Sequence, residues 1–484
     1  MSTLITRAST VSVAGFIAIL VALLILRPAY VRADAGQLNS RVQRGQWLVG
    51  HDMQESRGDP ARALLSHNHV MVIGGMDDGF NAGNSVEIYD ADLDAWTLAA
   101  PVPRIRGALG TAAALPSGQV LYVGGYFSGA DNPFDLSEAN LSFLFDPDGT
   151  TSLPDGTLIP GKWSNTGPLP GVGIGNVNGN AIVTSGKVVI AGGISDDSNI
   201  GPDSYTASRH AYVFTIKSGK WKQIELNEPR AMVPLVKLGD HRVFVSGGRQ
   251  VFDSSDGNDY YSNTAEIYDP HQSVWELTAP MPIIQDEDGC PAVGSCASLK
   301  PGSRFGHIQH VLRDGRVLVA GGVLSISGNP YQVRRSALIF DPTLGTWVRT
   351  ANMPVGLVYA ISSDLSDGRV LVSAGSSDGL IDNFHAWIFN PLDETWTPAA
   401  PMPCIVLDDM VAIAYGVPLG TMALPSSSYE MQTGVTRLQD GQLVFSGGFS
   451  NEVIGGVLGT FSMRTYVYNP KQPTSEMSCP ASTL

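Results

Sequence analysis

Residues 241–282 read HRVFVSGGRQVFDSSDGNDYYSNTAEIYDPHQSVWELTAPMP, and this stretch holds the elements on which the fold prediction rests. An apolar run ends in the glycine doublet that begins at Gly247. Tyr268-Asp269 follows, then Trp275, and Met281-Pro282 begins six residues after that tryptophan. The same elements recur in the same order along the chain, which indicates a structural repeat of about 50 residues.

The glycine doublet follows a short apolar run six times, and Ala374-Gly375 takes its place once. A strand that is apolar on both alternating faces must be covered on both, as it is between stacked sheets. Six residues before each doublet stands a turn residue, and all of these except His241 readily adopt positive φ. Each run is therefore predicted to be the second strand of a hairpin. The seven repeats are marked by Gly74, Gly124, Gly192, Gly247, Gly321, Ala374 and Gly447.

The two ends of the chain complement each other. Tyr468, in the last repeat, lacks the tryptophan that follows Tyr268 seven residues later. Trp47 instead precedes Met53 by six residues, as Trp275 precedes Met281. We therefore predict an all-β, seven-bladed propeller of four-stranded antiparallel blades, in which an N-terminal strand closes the last blade and removes the exposed edge.

A glycine doublet, then Tyr/Phe-Asp-Pro, then Trp six residues before Met-Pro, resembles the kelch repeat over about residues 45–472. The resemblance implies a single kelch-type propeller over residues 36–484. Kelch-type propellers are also similar to the central domain of galactose oxidase, whose copper has Tyr and His ligands. This chain has no Tyr-His dipeptide and few residues after its last predicted strand, so we expect no copper site and no other metal or cofactor.

Residues 1–35 have the features of an export segment. Val11 to Leu26 carries no charge, Arg7 precedes it, and the small-residue pattern Ala33-Asp34-Ala35 follows. This composition predicts a signal peptide or, alternatively, an N-terminal membrane anchor. The protein is thus expected to be extracytoplasmic: secreted, periplasmic or membrane-anchored.

The four cysteines fit an oxidising compartment. Of the three possible connectivities, we favour disulfides between Cys290 and Cys296 and between Cys404 and Cys479. The spacing of these residues lacks the paired Cys-x-x-Cys of a zinc site.

Insertions are predicted to gather on one face of the propeller. In a four-stranded meander, the 1–2 and 3–4 connections lie on one face and the 2–3 and 4–1 connections on the other. The long connections are of the second kind, so we expect binding on that side, although drift at a tolerant surface also lengthens loops. They are residues 126–139, 194–209, 249–263, 283–303 and 404–428.

Several basic residues near the starts of the first strands are predicted to surround the mouth of the central channel. Arginine donates in a bidentate fork, so such a cluster would attract an anionic ligand, whereas the alternative is that each arginine pairs with a carboxylate or holds a loop carbonyl. A neighbouring histidine is a candidate for the same site or for the propeller core. The candidates are Arg62, Arg104, Arg106, Arg230, Arg304 and His307.

The formal charge of −15 makes nucleic acid an improbable partner, and membrane contact is expected only through an uncleaved N-terminal segment. No motif nominates a catalytic nucleophile. The sequence therefore favours a monomeric recognition module for a protein or glycan over an enzyme. The alternative is a carbohydrate-active propeller enzyme, similar to galactose oxidase or to a sialic-acid epimerase.

Overall fold

The computed structural model describes residues 44–473 except 78–81, 104–107, 127–138, 172–180, 197–204, 232, 252–259, 285–286, 288–301, 325–331, 374, 376–385, 401–433, 447–448, 455–456 and 462–464. Arg104, Arg106 and the four cysteines lie outside the described residues. So does connection 404–428, whereas the other four long connections are described in part.

Seven sheets follow one pattern, in which four antiparallel strands lie in the order first, second, third, fourth. The first strand of each of these blades contacts the first strands of both neighbouring blades, so the seven first strands form a closed ring. The predicted seven-bladed propeller is thereby confirmed. The blades are: blade 1, β2 (Ala61–Leu64), β3 (His69–Ile73), β4 (Val86–Asp90) and β5 (Ala95–Ala99); blade 2, β6 (Ala108–Ala114), β7 (Val120–Tyr126), β8 (Ser142–Ser152) and β9 (Leu158–Asn165); blade 3, β10 (Ile182–Thr184), β11 (Lys187–Ala191), β14 (His210–Thr215) and β15 (Lys220–Glu225); blade 4, β16 (Val236–Lys237), β17 (Val243–Ser246), β20 (Ala265–Asp269) and β21 (Val274–Leu277); blade 5, β22 (Ile308–Val311), β23 (Val317–Ala320), β26 (Ala337–Asp341) and β27 (Thr346–Arg349); blade 6, β28 (Ile361–Asp364), β29 (Val370–Ser373), β30 (Ala386–Asn390) and β31 (Thr395–Pro398); and blade 7, β32 (Gly434–Arg437), β33 (Leu443–Ser446), β36 (Thr465–Pro473) and β1 (Arg44–Val49).

The ring closes between the two ends of the propeller, as predicted. β1 pairs antiparallel with β36, and Trp47 lies opposite Tyr468. The Trp47 indole is buried and packs at 4.9 Å from the Tyr468 ring. Its Nε1 donates to the carbonyl of Ala400, in blade 6, at 2.8 Å.

Four of the other repeat tryptophans have the same role, whereas Trp221 donates to Ser142 Oγ at 3.0 Å. Each of the four donates its indole N–H to a backbone carbonyl just after the fourth strand of the preceding blade, so the aromatic ring packs in its own blade while its polar edge bonds to the preceding one. The pairs are Trp96 with His51 (3.0 Å), Trp163 with Ala100 (2.7 Å), Trp347 with Ala279 (2.8 Å) and Trp396 with Ala351 (2.9 Å).

The glycine doublets mark where consecutive blades touch. In blade 4, the N–H of Gly248 donates to the carbonyl of Arg304 in blade 5 at 2.9 Å. A Cβ on Gly247, whose φ is +64°, would lie 2.4 Å from that carbonyl oxygen. Gly192 and Gly321 meet the carbonyls of the following blades in the same way, at 2.4 and 2.3 Å. The doublet therefore provides both an allowed backbone conformation and the space for close contact.

The turn before each second strand has positive φ in all seven blades, including at His241 (φ +71°). His241 is the one turn residue of a type that does not readily adopt positive φ, yet it has the same turn conformation as the other six. The other six turn residues are Asn68, Gly118, Gly186, Gly315, Gly368 and Gly441.

The 1–2 and 3–4 connections lie on one side of the propeller, which we call the turn face. Arg242, after the 1–2 turn of blade 4, donates to Pro342 O in the 3–4 turn of blade 5 at 3.2 Å. Arg316 of blade 5 reaches Glu394 of blade 6 at 3.4 Å in the same manner. The side that carries the 2–3 and 4–1 connections is called the loop face.

The loop face carries strands that belong to none of the blades. The 2–3 connections of blades 3 and 4 pair with each other in a four-stranded sheet, and the 2–3 connections of blades 5 and 7 form hairpins. The sheet has the order β12 (Ile194–Asp196), β13 (Tyr205–Ala207), β18 (Arg249–Val251) and β19 (Tyr260–Tyr261), and the hairpins are β24 (Val323–Leu324) with β25 (Gln332–Val333) and β34 (Phe449–Ile454) with β35 (Val457–Phe461).

Candidate functional sites

Three buried arginines hold the carbonyl of the first doublet glycine in their own blade. Each stands 17 residues before that glycine, and each guanidinium is almost completely buried. The pairs are Arg57 with Gly74 (2.7 Å), Arg230 with Gly247 (2.6 Å) and Arg304 with Gly321 (3.1 Å). The guanidinium thus fixes the end of the second strand where the next blade approaches.

In two blades a buried glutamate completes this arrangement. Glu266, on β20, contacts Arg230 at 2.9 Å and accepts the backbone N–H groups of Asn227 and Glu228 at 2.7 and 3.2 Å. Glu87 does the same for Arg57 in blade 1. One carboxylate therefore neutralises the buried arginine and also holds the crossover into the blade.

In blade 5 a carboxylate from a different element holds the backbone and a buried arginine. Leu338 takes the position that Glu266 has in blade 4, since Leu338 lies opposite Val319 and Glu266 opposite Val245. Glu287, from the 4–1 insertion, accepts the N–H groups of Arg335 and Ser336 at 2.9 and 2.8 Å. It also lies 3.4 Å from the buried Arg334 guanidinium. Part of this long connection thus stabilises the blade.

The structure brings together three of the residues predicted at the channel mouth. Arg230, Arg304 and His307 meet around Gly247, whose added Cβ would lie 2.8 Å from the His307 ring. Arg230 and Arg304 are fully buried and bond to the blades themselves. These contacts fit the alternative in which each arginine pairs with a carboxylate or holds a carbonyl of the protein itself. A ligand role for this set stays a prediction.

Arg62 lies apart from that group. Its guanidinium donates to Ser446 O of blade 7 at 2.5 Å, so it joins the first and last blades. Burial lowers its pKa to about 10. Sequence reasoning chose Arg62 for blade 1 and missed Arg57, although the 17-residue spacing to the doublet would have identified Arg57.

His307 is a buried, neutral histidine. Its Nε2 lies 3.3 Å from Ser246 Oγ, which donates to Gln309 at 2.7 Å. Burial lowers the pKa of His307 to about 3, and the positive charges of Arg304 and Arg230 contribute. Protonation of His307 would therefore place a third positive charge in a dry site.

We expect His307 to make the propeller less stable in acid. Its folded pKa lies below the unfolded value of about 6.5, so the unfolded chain takes up the proton first. The contribution is complete above pH 6.5 and is lost as the pH falls, by roughly 1 kcal/mol per pH unit between 6.5 and 5.

Urea unfolding of the native chain and of His307→Gln across pH 5–8 measures this effect. The variant should show a smaller fall in the free energy of unfolding below pH 6.5, with a constant offset at pH 7.5–8. Parallel curves throughout the range would contradict the assignment.

A second polar cluster lies where the first strands of blades 5, 6 and 7 approach the turn face. His310, on β22, contacts Ser362 Oγ at 3.2 Å and Asp364 Oδ1 at 3.1 Å, both on β28. Arg437, on β32, lies 4.0 Å from Asp364. The hydrogen bond from His310 holds the pKa of Asp364 below its usual value.

This cluster had no signal in the sequence, because only closure of the ring makes the three strands neighbours. Within the described ranges, no group of three or more His, Cys, Asp or Glu side chains is placed to hold a metal ion. In the same part of the chain, no helix has the length and apolar character needed to cross a membrane.

No family model matches this chain. Beta-scruin of Limulus polyphemus is 25% identical over 259 residues, which cover 53% of this chain and 25% of that protein. Alpha-scruin of the same species is 28% identical over 243 residues, covering 49% and 23%. An F-box/kelch-repeat protein of Arabidopsis thaliana is 38% identical over 80 residues, covering 16% and 18%. The chain thus matches about a quarter of the length of either scruin.

Among solved structures, a novel fungal alcohol oxidase of the AA5 family, in complex with copper, superposes with a TM-score of 0.55. It is 14% identical in sequence, and the superposition covers 89% of this chain and 77% of that one. At this identity the likeness concerns the fold alone. The repeats, their relatives and the closed ring of seven blades identify the chain as a kelch-repeat β-propeller.

Proposed function

We propose that this protein is an exported recognition module that binds a protein partner through its loop face. The observation that carries the proposal is the sheet β12–β13–β18–β19, in which the 2–3 connections of two blades join above the propeller. Because this sheet adds an ordered surface that the blades do not need for their own pairing, it is suited to contact a partner. The opposite face consists mostly of short turns.

Contacts inside blade 4 support a binding role for the extra sheet on the loop face. Buried Arg230, Glu266 and Ser262 form a network with the half-buried Glu228 and Thr264, next to β19; Glu228 accepts from Ser262 at 2.7 Å and from Thr264 at 2.8 Å. These contacts anchor the base of the extra sheet to blade 4. A rigidly anchored surface loses little conformational freedom when a partner binds, which favours affinity.

Export is part of the proposal and rests on residues 1–35. The uncharged run Val11 to Leu26 and the four cysteines support it. The likeness to the fungal oxidase provides no second function, because it is a likeness of fold. A glycan ligand is retained as an alternative outcome of the experiment below.

Loop replacement tests the proposal. Residues 252–259, between β18 and β19, are replaced by a Gly-Ser segment of equal length, and the matched control replaces residues 153–157 on the turn face. A partner is cross-linked to the native chain, identified by mass spectrometry and bound again in purified form. We expect the first variant to weaken its affinity by at least about tenfold, or about 1.4 kcal/mol, and the control to bind normally.

Equal affinity for the native chain and the 252–259 variant, with loss of binding in the control, would place recognition on the turn face and contradict the proposal. Binding to a glycan array that survives removal of all protein partners would reassign the ligand class.

A further inference from the structure

A cleft of about 440 Å³ lies between blades 2 and 3, where the 1–2 turn of blade 2 meets the 3–4 turn of blade 3. Its volume is within the range of small-molecule sites, which usually combine apolar walls with a few polar groups. The cleft lies on the turn face, so it is separate from the surface proposed above for a protein partner. Its walls are apolar at Leu115, Leu144, Phe214 and Ile216 and polar at Gln119 and Asn165.

At two other junctions a basic side chain crosses from one blade to the next. Lys187, directly after the turn glycine of blade 3, donates to Pro270 O in the 3–4 turn of blade 4. Arg242 of blade 4 reaches Pro342 O of blade 5 in the same manner. Each cation thus bridges the 1–2 turn of one blade and the 3–4 turn of the following blade.

At the junction of blades 2 and 3 both members of this pair differ. Gln119 stands in the place of Lys187, and Ile216, two residues after the aromatic of its third strand, stands in the place of Pro270. Gln119 Oε1 accepts from Ser117 Oγ, in its own turn, at 3.3 Å. No basic side chain is among the described residues that line the cleft, so the bridge of the other two junctions is missing here.

Two side-chain amides offer hydrogen-bond donors to the cleft. The amide oxygen of Gln119 is engaged by Ser117, and Asn165 Oδ1 accepts from the N–H of Gly167 at 2.6 Å. An amide nitrogen carries two N–H donors, and neither of these two nitrogens bonds another residue within the described ranges. The cleft therefore suits a ligand that carries hydrogen-bond acceptors.

The edge of the cleft is positively charged. Lys217 and Lys220 are exposed on either side of Gly219, which lines the cleft. The acidic residue that follows the aromatic in other third strands, such as Asp269 in blade 4, is Thr215 in blade 3. No carboxylate side chain is among the described lining residues. In a chain with a formal charge of −15, this edge is a local site of attraction for an anion.

We propose that this cleft binds a small organic anion with an apolar body, such as an arylalkyl carboxylate. The apolar body contacts Leu115, Leu144 and Ile216. The carboxylate accepts from the amide nitrogens of Gln119 and Asn165 and is attracted by the two lysines at the edge.

The same groups disfavour other ligands. A cation of the same shape is repelled by the lysines and leaves both amide nitrogens without an acceptor. A neutral amide keeps the acceptor but gains nothing from the charge. The proposal does not depend on the identity, or the existence, of a partner on the loop face.

Probes of one shape and different charge test the class of ligand. Ligand-observed NMR titration of the full chain measures the dissociation constants of 3-phenylpropionate, 3-phenylpropanamide and 3-phenylpropylammonium. We expect the anion to bind at least about fivefold more tightly than the neutral amide, and the cation to bind most weakly. The double variant Lys217→Gln, Lys220→Gln should reduce the preference for the anion over the amide to less than about twofold.

Gln119→Phe tests the location, because the larger apolar side chain fills the cleft and removes a donor. The matched control is Gln442→Phe, since Gln442 directly follows the turn residue Gly441 of blade 7 as Gln119 follows Gly118 in blade 2. With the fold checked by circular dichroism, Gln119→Phe should weaken the binding of 3-phenylpropionate by at least about tenfold, and the control should bind like the native chain.

Three results would each overturn the proposal: equal affinity of the native chain for the anion and the amide, equal effects of the two phenylalanine variants, or no binding of any probe at about 10 mM. The lysine variant changes only exposed side chains. It therefore remains a test even where Gln119→Phe does not fold.

Discussion

Replacement of Arg230 by Met is expected to lower the free energy of unfolding by about 3–5 kcal/mol, because it leaves the fully buried Glu266 carboxylate without its cation. Methionine is shorter than arginine and has no donor, so the loss comes mainly from the uncompensated charge and also from the lost bonds to Gly247 O, Ser262 and Thr264. Urea unfolding at pH 7 measures the change.

A double variant separates the charge from the other contacts. Glu266→Leu should recover part of the stability of Arg230→Met, since blade 5 already accommodates Leu338 at the equivalent position. It should not recover all of it, because Glu266 also accepts the N–H groups of Asn227 and Glu228. Additive losses would show that the two side chains are not coupled.

The control is an exposed pair of the same chemistry. Arg242 and Asp240 lie 2.8 Å apart on the turn face. Both are partly exposed, so Arg242→Met should cost about 1 kcal/mol or less. A larger loss there than for Arg230→Met would contradict the view that burial decides the energy of these pairs.

Gly247→Ala is expected to destabilise the propeller by about 2–5 kcal/mol. An alanine at φ +64° is strained by roughly 1–2 kcal/mol, and the crowding of a new Cβ adds about 1–3 kcal/mol. The crowding is severe because the nearest atom, at 2.4 Å, is a backbone oxygen of the neighbouring blade. Thermal and urea unfolding both report the change.

Gly315→Ala is the matched control. Gly315 also has positive φ (+87°), but no heavy atom lies within 4 Å of the added Cβ. Its substitution should cost only the backbone strain, about 1–2 kcal/mol. Equal losses at the two positions would mean that contact between blades is not the reason for the doublet.

The repeat could be predicted from the sequence because its signals are local. Apolar runs, positive-φ turns and the Tyr268 to Trp275 spacing follow from the pairing of strands adjacent in the chain. Ring closure could also be predicted from the sequence, since Trp47 precedes Met53 by the same six residues that separate Trp275 from Met281.

The role of single side chains was less accessible. Arg230 and Arg304 were predicted at the channel mouth with His307, but their complete burial depends on the neighbouring blade. The joining of the 2–3 connections of blades 3 and 4 into one sheet also has no counterpart in the repeat. The repeated spacing predicts only what all the repeats share. It does not predict contacts that depend on one particular blade and its neighbour.

The sequence by itself determined the number of blades, the order of strands within each and the closure between Trp47 and Tyr468, because each depends on short-range patterning or on a repeated spacing. Only the tertiary structure decided that Arg57, Arg230 and Arg304 support the blades and that His310 meets Asp364. The physical reason is that these contacts form between side chains on different strands, either within one blade or between two, and their burial and distance depend on how the blades pack around the ring and not on separation along the chain.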